Sequence, residues 1–206
     1  PFGRKLTKQE LIELLPGAKG LIAGLETLDE EVMQKSELKV ISRCGSGLSN
    51  VDMEAAERLG IKVFSTPYGP TSAVAELTLG AMINLLRMIS LMDRDMHEGR
   101  WTKKIGMQLE GKIVAVIGLG RIGRKVVSLL KPFNVRLLAV DPDVREKIDG
   151  VEILPLDKAL TEADIITIHS SGEQQIIGDD EFRLIKSGAF LLNAARGGLI
   201  NEGALV

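Results

Sequence analysis

Short apolar runs alternate along the whole chain with stretches whose apolar residues recur at helical spacing. The runs predict strands at residues 20–23, 38–42, 61–65, 112–117, 135–140, 165–168 and 190–193. The helical stretches predict helices at residues 7–15, 28–36, 52–59, 71–97, 124–130 and 182–185, with another starting at residue 201. This alternation is typical of a parallel α/β architecture.

A turn-rich stretch, Thr66-Pro67-Tyr68-Gly69-Pro70, interrupts this pattern. We therefore predict two α/β domains, a smaller one over residues 1–69 and a larger one over residues 70–206. The chain begins at Pro1 without a methionine and stops at Val206, where a predicted helix is just beginning. We interpret both ends as cuts through a fold, so both domains are expected to be incomplete.

The glycine signature Gly118-Leu119-Gly120-Arg121-Ile122-Gly123 lies between a predicted strand and a predicted helix. In a dinucleotide-binding turn, the first glycine makes the tight turn, the second lets a pyrophosphate approach, and the third lets the helix pack closely. Gly118, Gly120 and Gly123 occupy those positions, and the helix start behind them would offer N–H groups to phosphates. A glycine turn with a purely structural role is the alternative.

Asp141 directly follows the next predicted strand, 18 residues beyond Gly123. A carboxylate at that position can accept hydrogen bonds from the hydroxyls of an adenosine ribose and would repel a 2′-phosphate. The signature therefore favours NAD over NADP. Because Asp-Pro also opens turns, Asp141-Pro142-Asp143 can alternatively be a turn and nothing more.

Composition narrows the class of protein. The net charge is −2 and the basic residues are scattered, so we expect no nucleic-acid partner. The single cysteine rules out an intrachain disulfide framework and fits a reducing compartment, so a cytoplasmic location is expected. Glu76, Asn84 and Arg87 interrupt the longest apolar helical stretch, residues 73–92, so no membrane span is expected.

Two loops at the carboxyl ends of predicted strands are candidate substrate sites, because ligands of open α/β sheets bind there. The first loop, residues 43–50, is rich in glycine and exposes N–H groups suited to a carboxylate; a plain glycine turn is the alternative. The second loop, Asn193-Ala194-Ala195-Arg196-Gly197-Gly198, carries an arginine. The guanidinium of Arg196 can pair with a carboxylate or polarise a carbonyl, and a solvated surface arginine is the alternative.

The histidines and the cysteine are weaker candidates. His169 ends the strand predicted at residues 165–168, and we expect it to form a wall of the site or to contact backbone. His97 is expected to be a capping or surface residue, and Cys44 a small buried hydrophobe. The sequence contains no spacing typical of a metal site and no G-x-S-x-G nucleophile elbow.

Taken together, these segments resemble the D-isomer-specific 2-hydroxyacid dehydrogenases, and most closely the branch that oxidises D-3-phosphoglycerate. The match lies in residues 43–52 with Ala55-Ala56 and Gly60-Ile61, in Val74-Ala75-Glu76-Leu77, in the glycine signature with Asp141, and in residues 193–198. The resemblance implies a doubly wound Rossmann NAD-binding domain and a smaller flavodoxin-like substrate (lid) domain that lacks its first strand. It also implies a homodimer or a higher homo-oligomer.

The same resemblance implies roles for individual residues. Ser46 and Gly47 would offer backbone N–H groups to the substrate carboxylate, and Arg196 would be the catalytic arginine that binds this carboxylate and polarises the C2 oxygen. The residues implied on the NAD side are Gly118, Gly120, Arg121, Ile122, Gly123, Asp141, His169, Ala194, Ala195 and Arg196.

The chain also departs from the family. The family's general acid–base is a histidine assisted by a glutamate, both well downstream of the arginine, whereas this sequence ends ten residues after Arg196. The chain as given is therefore expected to be inactive, although its parentage is that of an enzyme. Ser49, Pro70 and a short loop at residues 170–172 also depart from the family pattern, which puts the substrate in doubt more than the fold.

The leading hypothesis is NAD-dependent interconversion of a D-2-hydroxyacid and its 2-oxoacid, with D-3-phosphoglycerate, at the entry to serine biosynthesis, as the first candidate substrate. Glyoxylate or hydroxypyruvate and D-lactate are alternative substrates. An NAD-sensing, non-catalytic binding protein on the same scaffold is an alternative from another class. Arg196 favours the enzyme, because a sensor has less need of it.

Overall fold

The computed structural model of the protein describes residues 4–172 and 174–205. The chain divides into two compact units, Pro1–Pro70 (unit 1) and Thr71–Val206 (unit 2). Each unit contains one sheet in which all strand pairs are parallel. The parallel α/β architecture expected from the hydrophobic pattern is therefore confirmed.

Unit 1 is built on a three-stranded sheet with the order β1-β2-β3. Its elements are α1 (Lys8–Leu14), β1 (Gly20–Ala23), α2 (Glu30–Gln34), β2 (Val40–Arg43), α3 (Met53–Arg58) and β3 (Lys62–Ser65). α1 begins in a capping box, because the Thr7 side chain accepts from the Glu10 N–H while the Glu10 carboxylate accepts from the Thr7 N–H. The helices and strands predicted for this part of the sequence are all present, with every end within two residues of its expected position.

The sheet of unit 1 is buried on one face. Leu21, Ile41 and Val63 lie in register across the strands and belong to, or pack against, the core beneath the helices. Ile22 and Phe64 point to the opposite face, where they are 83% and 56% exposed. This alternation follows from the two-residue side-chain period of a strand.

Unit 2 is built on a five-stranded sheet with the order β6-β5-β4-β7-β8. Its strands are β4 (Ile113–Ile117), β5 (Arg136–Val140), β6 (Val151–Ile153), β7 (Ile165–Ile168) and β8 (Phe190–Asn193). Its helices are α4 (Pro70–Arg87), α5 (Ile89–His97), α6 (Arg121–Leu130), α7 (Leu156–Glu162), α8 (Asp179–Leu184) and α9 (Glu202–Leu205). Counted from β4, the strand order is 3-2-1-4-5, the doubly wound order of a Rossmann domain.

Successive residues of the central strands enter two different cores. Val114 and Val116 join the cluster that includes residues of α4 and α6, whereas Ala115 and Ile117 join the cluster that includes residues of α7. Both faces of the sheet are therefore covered, which explains why these strands read as continuous apolar runs.

The predicted helix 71–97 is wrong as a single element. α4 and α5 are bent by 66°, and Met88 between them adopts a left-handed conformation with φ 55°. The Asn84 side-chain oxygen accepts hydrogen bonds from the Ser90 N–H at 2.8 Å and from the Ser90 hydroxyl at 2.9 Å. This side chain satisfies a donor that the new helix leaves without an intrahelical partner.

The pattern also missed β6 and α7. β6 has three residues and no fully buried side chain, so it presents too short a pattern to recognise. The helix predicted from residue 201 is present as α9, and Val206 lies outside the described residues. Among the described residues, no single helix is long and apolar enough to cross a membrane; only the bent pair α4–α5, taken together, passes that test of length and composition.

Candidate active site

The strand order of unit 2 reverses between β4 and β7, and parallel sheets bind ligands outside the carboxyl ends of their strands at such a point. The glycine signature follows β4, Asp141 follows β5, His169 follows β7, and the Arg196 loop follows β8. The structure therefore brings the site residues predicted in this unit to one edge of one sheet.

The space available for a side chain differs among the three glycines of the signature. Gly118 has φ +93°, and a Cβ at this position would lie 2.8 Å from the carbonyl carbon of His169. A Cβ at Gly123 would overlap the carbonyl oxygen of Gly118, so α6 can approach the turn only without a side chain there. A Cβ at Gly120 would meet no described atom within 4 Å. The turn and the close packing thus account for two glycines, and the third leaves open space beside the loop.

The N-terminus of α6 fits an anion. Gly120 is its N-cap and has no side chain to occupy the first N–H groups, and the first turn contains no acidic residue. Backbone donors and the positive end of the helix dipole are therefore directed at this edge of the sheet. Arg121 is exposed in the first turn, and Ile122 packs against the core on the α6 side. Together with the space beside Gly120, this environment fits the pyrophosphate of NAD.

Asp141 is bonded within the turn that it follows. Its Oδ2 accepts from the Leu119 N–H at 2.7 Å, and its Oδ1 accepts from the Asp143 N–H at 3.0 Å. The carboxylate therefore closes the Asp-Pro-Asp turn and also tethers the glycine signature. Each carboxylate oxygen has two lone pairs, so this geometry still allows the carboxylate to accept from ribose hydroxyls.

His169 is buried, with 8% of its surface exposed. Its Nε2 lies 2.9 Å from the Thr167 hydroxyl, and among the described residues its Nδ1 has no hydrogen-bond partner. Burial lowers the pKa of His169 to about 4, because an imidazolium would lose its hydration. The ring is therefore neutral near pH 7 and cannot act there as a general acid.

The Arg196 loop is held by its own first residue. Asn193 Nδ2 donates to the Arg196 carbonyl at 2.7 Å, and Asn193 Oδ1 accepts from the Ala195 N–H at 3.0 Å. The Arg196 guanidinium donates to the Ser171 carbonyl, on the loop after β7. Ala194 is half-buried, and Ala195 and Arg196 help to line a cavity of about 480 Å³.

In unit 1, the loop after β2 contains the other predicted substrate contacts. Gly45 has φ +140°, and the Arg43 guanidinium folds against it and donates to the Cys44 carbonyl. Thr66 fixes this glycine twice, since its hydroxyl accepts from the Gly45 N–H at 2.8 Å and its own N–H donates to the Gly45 carbonyl at 2.9 Å. The neighbouring Ser46 is exposed and therefore accessible to a ligand.

Two expectations for minor residues can be checked. Cys44 is exposed, so the expectation of a small buried hydrophobe is wrong; its position in the loop rather than in β2 turns the side chain outward. His97 is exposed near the end of α5, and its Nδ1 lies 3.0 Å from the Asp93 carbonyl, as expected for a surface or capping residue.

Thr66, Thr167 and Asn193 were not among the site residues predicted from the sequence. Thr66 was interpreted only as part of a turn, and Thr167 only as part of an apolar strand. The role of Asn193 could have been recognised from the sequence, because it is an asparagine at the end of a strand and before a loop. The side chain of asparagine readily forms a hydrogen bond with the backbone two residues later.

Comparisons with known proteins show which family this chain resembles. Residues 79–206 match the family model of the D-isomer specific 2-hydroxyacid dehydrogenase, NAD binding domain. The chain is 36% identical over 213 residues to D-3-phosphoglycerate dehydrogenase of Sus scrofa, an alignment covering 98% of this chain and 40% of the relative. It is 35% identical over 207 residues to hydroxypyruvate reductase of Thermotoga maritima, covering 97% of this chain and 68% of that relative.

Among solved structures, the TT0316 protein of Thermus thermophilus superposes with a TM-score of 0.93 at 32% identity, covering 98% of this chain and 68% of the other. The chain spans only 40% of the length of the Sus scrofa dehydrogenase. The family model covers more than half of the chain and includes the glycine turn, Asp141 and Arg196. The chain therefore belongs to the D-isomer-specific 2-hydroxyacid dehydrogenases and contains their NAD-binding domain.

Proposed function

We propose that the protein takes part in the NAD-dependent interconversion of a D-2-hydroxyacid and its 2-oxoacid, with D-3-phosphoglycerate as substrate and serine biosynthesis as its role. One observation supports the proposal above all. The glycine turn that fits a pyrophosphate, the buried and neutral His169, and Arg196 all lie at one edge of the unit 2 sheet. Unit 1 corresponds in this proposal to the substrate domain and unit 2 to the NAD-binding domain.

In this proposal, NAD supplies the hydride acceptor when bound. The α6 N-terminus holds the pyrophosphate beside Gly120, and Arg121 and Ile122 cover it. The Asp141 carboxylate accepts from the ribose hydroxyls and disfavours a 2′-phosphate. Ala194 and Ala195 line the nicotinamide side, where their small side chains leave room for the ring. His169 forms a wall of the pocket without holding a proton near pH 7.

Arg196 provides the charge for the reaction. Its guanidinium exchanges the Ser171 carbonyl for the substrate carboxylate, with which it can form two parallel hydrogen bonds. The same group polarises the oxygen on C2, so that negative charge developing there during hydride transfer is stabilised. A carbonyl is a weaker partner for a guanidinium than a carboxylate, which favours this exchange.

Arg43 supports a substrate with a second anionic group. Ser46 and Gly47 offer N–H groups to the carboxylate, and Arg43 is the last residue of β2, directly before their loop. Its Nε is a buried donor without a partner among the described residues. A phosphate placed near Arg43 would pair with its positive charge, whereas D-lactate has no second anionic group to do so. Hydroxypyruvate remains a candidate because of the similarity to a hydroxypyruvate reductase.

We expect little turnover from the 206 residues alone. His97 is exposed on helix α5 and not in a loop that follows a strand, and His169 is buried with a pKa of about 4, so neither suits a general acid–base near neutral pH. A binding measurement is therefore the sharper test of the proposal.

The experiment is a titration of D-3-phosphoglycerate into the complex with NAD, followed by calorimetry, with D-lactate and D-glycerate in parallel. We expect D-3-phosphoglycerate to bind most tightly, and Arg196→Ala to weaken all three ligands because it removes the shared carboxylate contact. Removal of a charged hydrogen bond should cost about tenfold or more in affinity. Equal affinity of the wild type and Arg196→Ala for every acid would contradict the role given to Arg196.

The proposal includes a homodimer. Large apolar side chains are exposed after α5, with Trp101 at 86%, Ile105 at 84% and Met107 at 41%. Exposed apolar groups concentrated in one short segment are typical of a surface covered by a partner. A second copy of this chain is the partner we infer for this segment.

A further inference from the structure

Asn193, the last residue of β8, forms side-chain hydrogen bonds with two backbone groups of the Arg196 loop, one before Arg196 and one in Arg196 itself. Its Oδ1 accepts from the Ala195 N–H at 3.0 Å and its Nδ2 donates to the Arg196 carbonyl at 2.7 Å. An amide can do both at once, whereas a carboxylate can only accept and an alanine can do neither. The residue type at this position is therefore matched to two opposite hydrogen-bonding tasks.

The Arg196 carbonyl is also tied to the core of unit 2. The Leu199 N–H donates to this oxygen at 3.3 Å, and Leu199 is fully buried. The backbone around Arg196 is thus held from the core on one side and by Asn193 on the other. Arg196 is kept extended, with φ −145° and ψ 141°, which sets the direction in which its side chain leaves the loop.

That direction matters because the arginine side chain is long. Ordering such a side chain costs rotamer entropy, and part of that cost is avoided if the direction of its Cα–Cβ bond is already fixed. In the structure, the guanidinium reaches the Ser171 carbonyl on the neighbouring loop. An aimed arginine can exchange this carbonyl for a carboxylate without a search through other rotamers.

We propose that Asn193 is a positioning residue that aims Arg196 at the substrate carboxylate by bridging the Ala195 N–H and the Arg196 carbonyl. The inference rests on the carboxylate-binding role proposed for Arg196. It adds a residue whose role in positioning Arg196 is exerted through the loop backbone.

Two substitutions at Asn193 separate its tasks. Asn193→Ala removes both hydrogen bonds without adding charge. Asn193→Asp keeps the acceptor for the Ala195 N–H but turns an oxygen toward the Arg196 carbonyl. Asn201→Asp is the matched control, because Asn201 Oδ1 accepts from the Gly203 N–H at 3.1 Å and the Ala204 N–H at 3.3 Å, bonds that a carboxylate can also accept.

The first measurement is binding of oxamate, a small 2-oxo carboxylate, to the complex with NADH, followed by NADH fluorescence. We expect both Asn193 variants to weaken oxamate about tenfold, equivalent to about 1.4 kcal/mol, with a smaller change in NADH affinity. Asn201→Asp should behave as the wild type. Wild-type affinity in Asn193→Ala would overturn the inference, and weakening in Asn193→Asp alone would assign the effect to charge instead of positioning.

The second measurement needs no ligand. The ¹⁵N–¹H NMR signal of the Arg196 Nε can be assigned by its loss in Arg196→Ala. In the wild type and in Asn201→Asp this signal should be separate from the signals of mobile arginines. It should shift toward the signals of mobile arginines in both Asn193 variants, at unchanged melting temperature. An unmoved signal overturns the positioning role. Oxamate binding that survives Arg196→Ala would instead overturn the proposed function, so the two failures are distinguishable.

Discussion

At the scale of single residues, one side chain often serves both structure and the proposed chemistry. Asp141 illustrates this, since turn and ribose binding were alternatives at the level of sequence and the geometry is compatible with both. Its two oxygens hold the Leu119 and Asp143 N–H groups and keep further lone pairs available. His169 is similar, because it is proposed to form a wall of the site and its burial also makes the stability of the fold depend on pH.

Asp141→Ala should weaken NADH binding about tenfold and reduce the preference for NADH over NADPH. The substitution removes an acceptor for the ribose hydroxyls and a charge that repels a 2′-phosphate. Fluorescence titration with both cofactors measures the change. Asp143→Ala is the matched control, because it removes the same charge two residues away. Unchanged affinity of Asp141→Ala for both cofactors would rule out its role in selecting NAD.

His169 should make the protein less stable in mild acid. Its pKa is about 4 in the folded protein against an ordinary value of 6.5, so between these values the unfolded chain binds more protons. The free energy of unfolding should therefore fall as the pH drops from 6.5 toward 4, by about 1.4 kcal/mol per pH unit at most.

Urea unfolding of His169→Gln at several pH values tests this prediction. Glutamine cannot titrate but can still bond to the Thr167 hydroxyl, so the variant should lose that part of the pH dependence. His97→Gln retains His169 and should retain the dependence. An identical pH profile for His169→Gln and the wild type would be the contrary result.

At the scale of elements, the strand–turn–helix unit formed by β4, the glycine signature and α6 depends on the close approach of backbones. Gly123 permits that approach, while Gly120 lies beside open space. Glycine is therefore needed at Gly123 for helix packing, whereas at Gly120, three residues earlier, it leaves space for the proposed ligand. The bend between α4 and α5 shows the same dependence on single residues, because Met88 and the Asn84 side chain end one helix and start the next.

Gly123→Ala should destabilise unit 2 by about 1–3 kcal/mol, because the new Cβ overlaps the Gly118 carbonyl and backbone must move. Gly120→Ala should cost at most about 1 kcal/mol, as expected for a weaker helix N-cap, yet weaken NADH binding, because its Cβ would occupy the space left for the pyrophosphate. Thermal unfolding and NADH titration of both variants separate the two effects. Full NADH affinity in Gly120→Ala would show that the pyrophosphate does not approach there.

At the scale of the whole molecule, the chain forms two units with separate cores. The proposed assembly belongs to this scale, because Trp101 and Ile105 are among the most exposed apolar side chains of unit 2. Their burial against a second copy would remove a large apolar area from water.

Sedimentation velocity should show a dimer for the wild type and a larger monomer fraction for Trp101→Ala and Ile105→Ala. Ile22→Ala provides the control, since Ile22 is 83% exposed on the sheet of unit 1. A monomeric wild type, or equal dissociation in all three variants, would argue against a dimer formed through this segment.

Features that depend on neighbours along the chain were predictable. The spacing of Gly118, Gly120 and Gly123, the acid after the next strand, and most strands and helices follow local periods and turn chemistry. The short strand β6 and helix α7 were not predictable, because their patterns are too short or lie between stronger ones. The break at Met88 was hidden because the apolar spacing continues through it.

The amino-acid sequence by itself determined the alternation of strands and helices, the dinucleotide-binding turn and the candidate arginine. Each of them follows from the period of apolar residues or from the spacing of residues that are close together in the sequence. The tertiary structure determined what lies beside them: His169 against Gly118, and the Arg196 guanidinium on the Ser171 carbonyl, 25 residues away. Such contacts depend on the order in which parallel strands associate, and no local pattern encodes that order.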